Sequence, residues 1–436
     1  MSGTHAETVA YVADTQFAPQ PAPVSTSGVV GWLRENLFSS WLNSALTIAC
    51  LAFVAWLLPS ILEWALFNSV WNAGSLSECR EIIANTLGEG ESGACWAVIN
   101  ERFGQLMYGF YPISYRWRPN LALLLLFIAI APVLFQTLRP LALGLAGFLA
   151  AKVAITLIAV LFGAGDPEIL VGPTTFVAIV IAPLAYFFGH AHQKRYWLWF
   201  SLAYPVICYV LLVGGVLLRP VTTDQFGGFL LTLVIGITGI AASFPIGILL
   251  ALGRQSNLPI LKIVCVTFIE FVRGVPLITL LFVASVLLNY FLPPGTNFDK
   301  ILRVIIMVTL FASAYMAEVV RGGLAALPRG QYEAADAMGL TYWQSMRLII
   351  LPQALKISIP GIVNTFIGLF KDTTLVSIIA LFDPIGIINP IRADSDWNGI
   401  VWELYGFIAF VFFICCWSMS RYSIYLENRL RAADAR

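Results

Sequence analysis

Apolar runs of bilayer length recur along this chain and decide what solvent it folds in. A bilayer core needs roughly 20 apolar residues per helix. Such runs fall near residues 41–66, 119–138, 140–163, 173–189, 197–218, 226–252, 260–291, 301–320, 355–381 and 400–420. The expected fold class is therefore an all-α polytopic membrane protein with about ten transmembrane helices. Run 260–291 is long enough to tilt, kink or extend past the lipid. Composition agrees: 59% of the 436 residues are hydrophobic and 11% are charged, where a soluble domain carries about 25% charged residues.

The net charge of +1 and the absence of any long Lys/Arg run give no footprint for nucleic acid. Residues 1–35 are rich in Ala, Pro, Ser and Thr and show no basic segment followed by an apolar core. They read as a disordered cytoplasmic tail rather than a signal peptide. An even number of spans puts both termini on one side. Placing them in the cytoplasm puts fourteen Lys/Arg inside, among them Arg34, Arg139, Arg254, Arg321, Arg329, Arg347 and Arg421, against eight outside, the bias the positive-inside rule expects. Arg116 and Arg118 count the other way. Residues 67–118 then form the largest outside loop. If that loop lies outside the cytoplasm, its Cys79 and Cys95 are candidates for a disulfide; otherwise they are two free thiols. The other cysteines lie in apolar runs and read as small buried hydrophobes. No zinc-ligand spacing occurs, and His190 and His192 read as an interfacial pair rather than a metal site.

Nearly all polar motifs lie in the last five spans, so the chain divides into a membrane extension (36–220), a five-span core (221–425) and a short cytoplasmic tail (426–436). Within the core, residues 328–352 interrupt the apolar pattern. Pro328 suits a helix first turn, and Glu333 lies near the helix N-terminus, where the dipole favours a carboxylate. Gly339 is a natural left-handed C′ stop. Thr341 to Gln344 match a capping box for a second helix, expected to end at Pro352. The result is two short helices around a glycine corner. Ala334, Ala335 and Ala337 are too small to anchor in lipid and suit close approach to a protein groove.

Glu333-Ala334-Ala335, then Gly339, then Ile350-Leu351-Pro352 resembles the EAA loop of ABC importer permeases. In that family the loop is the coupling helix that enters a groove on a cytoplasmic ATPase. The stretches Phe268–Pro276, Ala317–Gly323, Pro328–Gln331 and Phe370–Leu375 resemble the polar amino-acid (histidine/glutamine permease) branch, over about residues 224–430. The length and the added spans resemble the longer permease subunit of the general L-amino-acid (Aap/Bzt-type) importers. The resemblance implies a type I importer permease in the bacterial inner membrane. Its partners would be a homologous second permease, two ATP-binding subunits and a periplasmic amino-acid-binding protein. No cofactor is expected on this chain. ATP and Mg would belong to the ATPases, and the chain carries no G-x-x-x-x-G-K-[ST] motif of its own.

Ionisable residues inside spans cost about 2.5–3.5 kcal/mol at the centre and face a cavity or a partner. Glu270 and Arg273 share one helix face, as do Glu318 and Arg321, and each pair reads first as an intrahelical ion pair. Lys371 and Asp372 are adjacent and point about 100° apart. Asp372 could take a substrate ammonium and Arg321 its carboxylate, if packing brings them together; an interhelical structural network is the competing account. Thr365 stands where cationic amino-acid permeases of this branch often carry Glu, and Val275 where Thr is common. The missing carboxylate argues against Arg or Lys as substrate and leaves acidic, amide or broad neutral amino acids. Lys152 has no role assigned from sequence. An ion-coupled secondary amino-acid transporter is the alternative, but no inverted repeat is visible and such a carrier needs no docking helix. A membrane-embedded enzyme would need a polar catalytic cluster, and none is evident.

Overall fold

The computed structural model describes residues 28–135, 137–161, 172–189, 194–215, 218–287, 290, 293 and 299–434. The expectations for most of residues 1–35 and for His190 and His192 lie outside these. Among the described residues every extended element is a helix, and β-type pairing is confined to isolated bridges such as that between Gly109 and Phe226. This is the economy lipid imposes, because only a helix satisfies its own backbone there. The described residues form two compact units, 28–70 with 81–94, and 71–80 with those of 95–434.

The first unit holds α1 (Gly28–Asn36) and α2 (Trp41–Leu62). Ser40 caps α2 by accepting the Asn43 N–H at 3.2 Å. No α2 side chain is buried, so an apolar helix of about 33 Å offers its whole circumference to lipid or to a partner. A π-turn, Glu63–Phe67, closes it. Trp64 and Val70 then bracket Ala94 through backbone bonds of 2.9 and 2.8 Å. Helix α3 (Leu76–Leu87) belongs in part to each unit.

The second unit continues with α4 (Ala97–Glu101), α5 (Phe103–Tyr108) and α6 (Trp117–Leu134). Then come α7 (Arg139–Leu161), α8 (Pro173–Phe188) and α9 (Lys194–Val213). Helix α6 packs on α9, and α7 on α8, around Ile128, Leu138, Leu145, Ala178 and Ala185. Lys152 is not stranded: its ammonium donates to the Thr175 hydroxyl. The core comprises α10 (Gly228–Gln255), α11 (Pro259–Gly274), α12 (Leu277–Phe282) and α13 (Lys300–Ala325). It ends with α14 (Arg329–Ala337), α15 (Tyr342–Ser345), α16 (Leu351–Asp372), α17 (Ile388–Arg392) and α18 (Trp402–Asp434). Small residues let its long helices touch. At Gly323 on α13 an added Cβ would lie 2.0 Å from Ser358 Oγ and 2.4 Å from the Ala354 carbonyl of α16.

Eight helices among the described residues are long and apolar enough to cross a membrane, and two of the ten expected runs depart from that description. Helix α8 has 16 residues, about 24 Å, shorter than a bilayer core. Run 260–291 is not one span: α11 and α12 are bent by 101°. The break is chemical. Pro276 has no N–H, and the residue before a proline is driven to extended backbone, where Val275 sits at φ −109°, ψ 132°. Helix α11 buries one stripe, Cys265, Ile269 and Val272. Cys265 lies against Gly253, and Ile269 shares a core with Ala251 and Leu252, so α11 crosses the end of α10 rather than running beside it.

At the opposite end of α10, residues of the 71–116 stretch are fastened to the core's last loop. Cys79 and Cys95 are disulfide-bonded, with Cα atoms 6.0 Å apart. The Leu76 N–H donates to Asp396 O at 2.8 Å, and the Cys95 N–H to Glu403 Oε1 at 3.0 Å. Arg102 pairs with Asp394 at 2.8 Å. Arg118, one of the two arginines that count against the charge rule, donates to Arg219 O at 2.8 Å and lies over the Tyr115 ring. Protein contacts hold it, which explains its departure from a rule about loop charge.

Asp383 is wholly buried in the same region. Burial pushes its carboxyl up to about 6, although the N–H groups of Ile385 and Gly386 donate to it. The folded chain thus holds this proton more tightly than the unfolded one, so stability is lost as pH rises from about 4 through 6. The stability difference between wild type and Asp383→Asn should fall by up to about 3 kcal/mol between pH 4 and 7; a pH-independent difference in thermal melts would refute this. The five remaining cysteines are free. Unreduced, denatured chain should therefore label at five thiols, and Cys79→Ser with Cys95→Ser should lower stability by about 3 kcal/mol for a loop of this length.

Candidate functional site

The polar interruption folds as a braced corner. Pro328 is the N-cap of α14, with φ −60° and ψ 140°. At the other end Gly339 adopts φ +71°. The Gly339 N–H reaches Asp336 O at 2.9 Å and the Leu340 N–H reaches Ala335 O at 3.2 Å, a Schellman pair that uses up two orphan carbonyls. Thr341 and Gln344 form the anticipated capping box. Gln353 donates to Gln331 at 3.0 Å, tying the start of α14 to the start of α16.

Two details differ from the sequence expectation. Pro352 does not end a helix. A π-turn, Met346–Ile350, runs straight into α16, and Pro352 lies in that helix's first turn, where the irregular turn before it lets the helical backbone continue. Leu351 is half-buried beside it. Ala335 is wholly buried within the chain, while Glu333, Ala334, Ala337 and Met338 are exposed. Helix α14 turns one alanine inward to sit close on the Met346–Ile350 turn and offers the opposite face to solvent. Met346 and Ile350 in turn share a core with Met316, Val320 and Leu324 of α13 and with Ala251 and Leu252 of α10.

Directly above this core the charged residues meet. Glu318 Oε1 lies 2.8 Å from Arg254; its Oε2 lies 2.9 Å from Arg321 and 3.8 Å from Arg273. Glu270 pairs with Arg254 at 2.8 Å. The Glu318–Arg321 pair is intrahelical as expected; the Glu270–Arg273 pair is not formed. The i,i+3 spacing does put both on one face of α11, but that face meets α10 and α13, where Arg254 and Glu318 are better placed partners. One carboxylate thereby joins three helices. Arg273 also lies over the Tyr315 ring at 5.6 Å.

The proposed substrate pair is not assembled. Antiparallel packing sets Val319 and Gly323 of α13 against Ser358, Gly361 and Ala354 of α16. Arg321 is thus level with the first half of α16. Asp372 lies some 14 residues further along, about 20 Å at 1.5 Å per residue. Arg321 is instead engaged by Glu318. Asp372 is half-buried at the end of α16, and Lys371 beside it is exposed. Thr365 donates to Gly361 O at 2.9 Å within its own helix, and Val275 forms the α11–α12 bend. Arg254 is the site residue that sequence reasoning missed; its place at a helix end looked like an ordinary topology signal.

Residues 243–432 match the model of the family described as binding-protein-dependent transport system inner membrane component. The glutamate/glutamine/aspartate/asparagine transport system permease BztC of Rhodobacter capsulatus is 53% identical over 97% of this chain and 98% of its own length. The inner-membrane amino-acid ABC transporter permease YhdY of Escherichia coli is 44% identical over 94% and 95%. A probable glutamine ABC transporter permease, GlnP of Bacillus subtilis, is 32% identical over 91% of its own length but 46% of this chain.

The charge cluster gives a graded expectation. Glu318 has 15% of its side chain exposed and Glu270 has 54%. Glu318→Gln, which leaves Arg273 and Arg321 without a carboxylate and Arg254 with Glu270 alone, should cost about 3 kcal/mol. Glu270→Gln should cost under about 1 kcal/mol. Equal losses in denaturation of the detergent-solubilised chain would show that Glu318 is not the hub.

Proposed function

The chain belongs to the permeases of amino-acid ABC importers, and from that premise we propose that it lines a path for acidic and amide amino acids. The path would be shared with a homologous second permease and driven by two cytoplasmic ATPases, with substrate delivered by a periplasmic binding protein. The substrate class follows from the full-length relative named for glutamate, glutamine, aspartate and asparagine. Thr365, standing where a carboxylate would suit cationic substrates, supports it. Arg329–Ala337 and its glycine corner then face the cytoplasm with both termini, and the disulfide-bonded stretch faces the periplasm, an oxidising compartment.

The observation that carries this reading is the corner itself. It is rigid without a partner, through its Schellman bonds and capping box, and it presents Glu333 and Ala334 outward. Its buried side shares a core with α10 and α13. A push on α14 by a closing ATPase pair would therefore pass to the long core helices, and through Glu318 to α11. Residues 36–220 form an extension to the core at 221–425, and Asp372, Lys371, Thr365 and Val275 remain the candidates for its path. Arg321 is reassigned from substrate contact to the charge cluster.

Glu333→Lys changes an exposed side chain and should leave thermal stability within about 0.5 kcal/mol, yet reduce both ATPase co-purification and uptake at least tenfold. Gly339→Pro should reduce both readouts likewise, by forbidding φ +71° and removing the N–H that reaches Asp336 O. Normal ATPase retention and uptake in both variants would remove the coupling assignment.

A further inference from the structure

A cavity of about 420 Å³ opens among the residues of α4, α5 and the segment that follows them. Its volume falls in the range of small-molecule sites. Its walls carry one charge of each sign that no ion pair neutralises among the described residues: Arg116 and Glu101. Arg102 also lines it, but Asp394 holds that guanidinium at 2.8 Å. Arg116 is positioned with care. Its guanidinium lies over the Tyr108 ring, 5.2 Å from the centroid. It fits against Gly104, where an added Cβ would meet its Nη1 at 2.2 Å. Its Nε is buried without an acceptor, so a donor has been taken out of water and left unmatched. Gln105 adds an amide, and Phe110, Pro112 and Ile113 add an apolar wall.

A cation with a fixed fork, a carboxylate and an apolar wall in one small cavity match the three parts of a free α-amino acid. A guanidinium takes a carboxylate through two parallel bonds, and a carboxylate takes an ammonium. Resting on the amino-acid reading above, we propose that this cavity is a second, extramembrane site for a zwitterionic amino acid. Arg116 binds its carboxylate, Glu101 its ammonium, and Phe110 and Ile113 flank its side chain. The site lies in the extension, and through Arg102 and Asp394 it touches the last loop of the core. The extension thereby acquires a ligand of its own, distinct from anything bound between the core helices.

The full chain in lipid nanodiscs, without ATPases or binding protein, tests this by calorimetry with L-glutamine. Wild type should bind L-glutamine at least tenfold more tightly than either N-acetyl-glutamine or glutamine α-amide, since each analogue lacks one pole. Arg116→Gln and Glu101→Gln should each weaken L-glutamine at least tenfold. Glu101→Gln should also abolish the preference over the N-acetyl analogue. Binding that ignores both cavity variants places the ligand elsewhere and overturns the proposal. So does wild-type binding that accepts both analogues equally, a result that requires no variant to fold. Uptake of L-glutamine by the assembled importer is the separate readout for the transport reading. Uptake without cavity-dependent binding rejects this site alone, and absence of amino-acid uptake rejects the reading beneath it.

Discussion

Glu318 is a carboxylate inside a transmembrane helix, and its neighbours are arranged around that cost. A lone charge there would be expelled or neutralised. Three guanidinium groups prevent this: Arg254 from α10, Arg273 from α11 and Arg321 from its own α13. Because the partners come from separate helices, the solution to one desolvation problem also fixes how those helices meet. Helix α11 can lie across the end of α10 because Ile269 and Cys265 seat it there and because Glu270 and Arg273 are matched on arrival.

The corner at 328–352 inherits this rigidity. Met346 and Ile350 enter the same apolar core as Met316 and Val320, a turn or so from Glu318. Buried Ala335 allows α14 to sit close, and a larger side chain would hold it away. An element meant to receive force has to be stiff itself and firmly seated. The Schellman bonds and capping box supply the first condition, and the shared core supplies the second.

Much of this was legible in advance. Gly339 announced a left-handed stop, and Thr341 and Gln344 a reciprocal cap, because each is a local backbone property carried by one or two residues. The partners of Glu270 and Arg273 were not legible. Spacing of three places two side chains on one face but says nothing of what that face will meet. The same limit undid the pairing of Arg321 with Asp372. Both residues belong to helix ends, and only antiparallel packing of α13 on α16 reveals that those ends lie at different depths. Pro352 was misread for a related reason: a proline that stops a helix and one that opens the next look alike until the preceding backbone is seen.

The apolar runs by themselves determined that the chain is helical and lives in lipid, since an extended polypeptide there must satisfy its own backbone. Local chemistry also determined the glycine corner and the disulfide's candidates. Tertiary structure decided which charges neutralise one another, which alanine of α14 faces inward, and that Arg116 and Glu101 share a cavity. These are contacts between residues distant in sequence or set at an angle by a turn. Their energy depends on distance and dielectric, and neither quantity exists until the helices have packed.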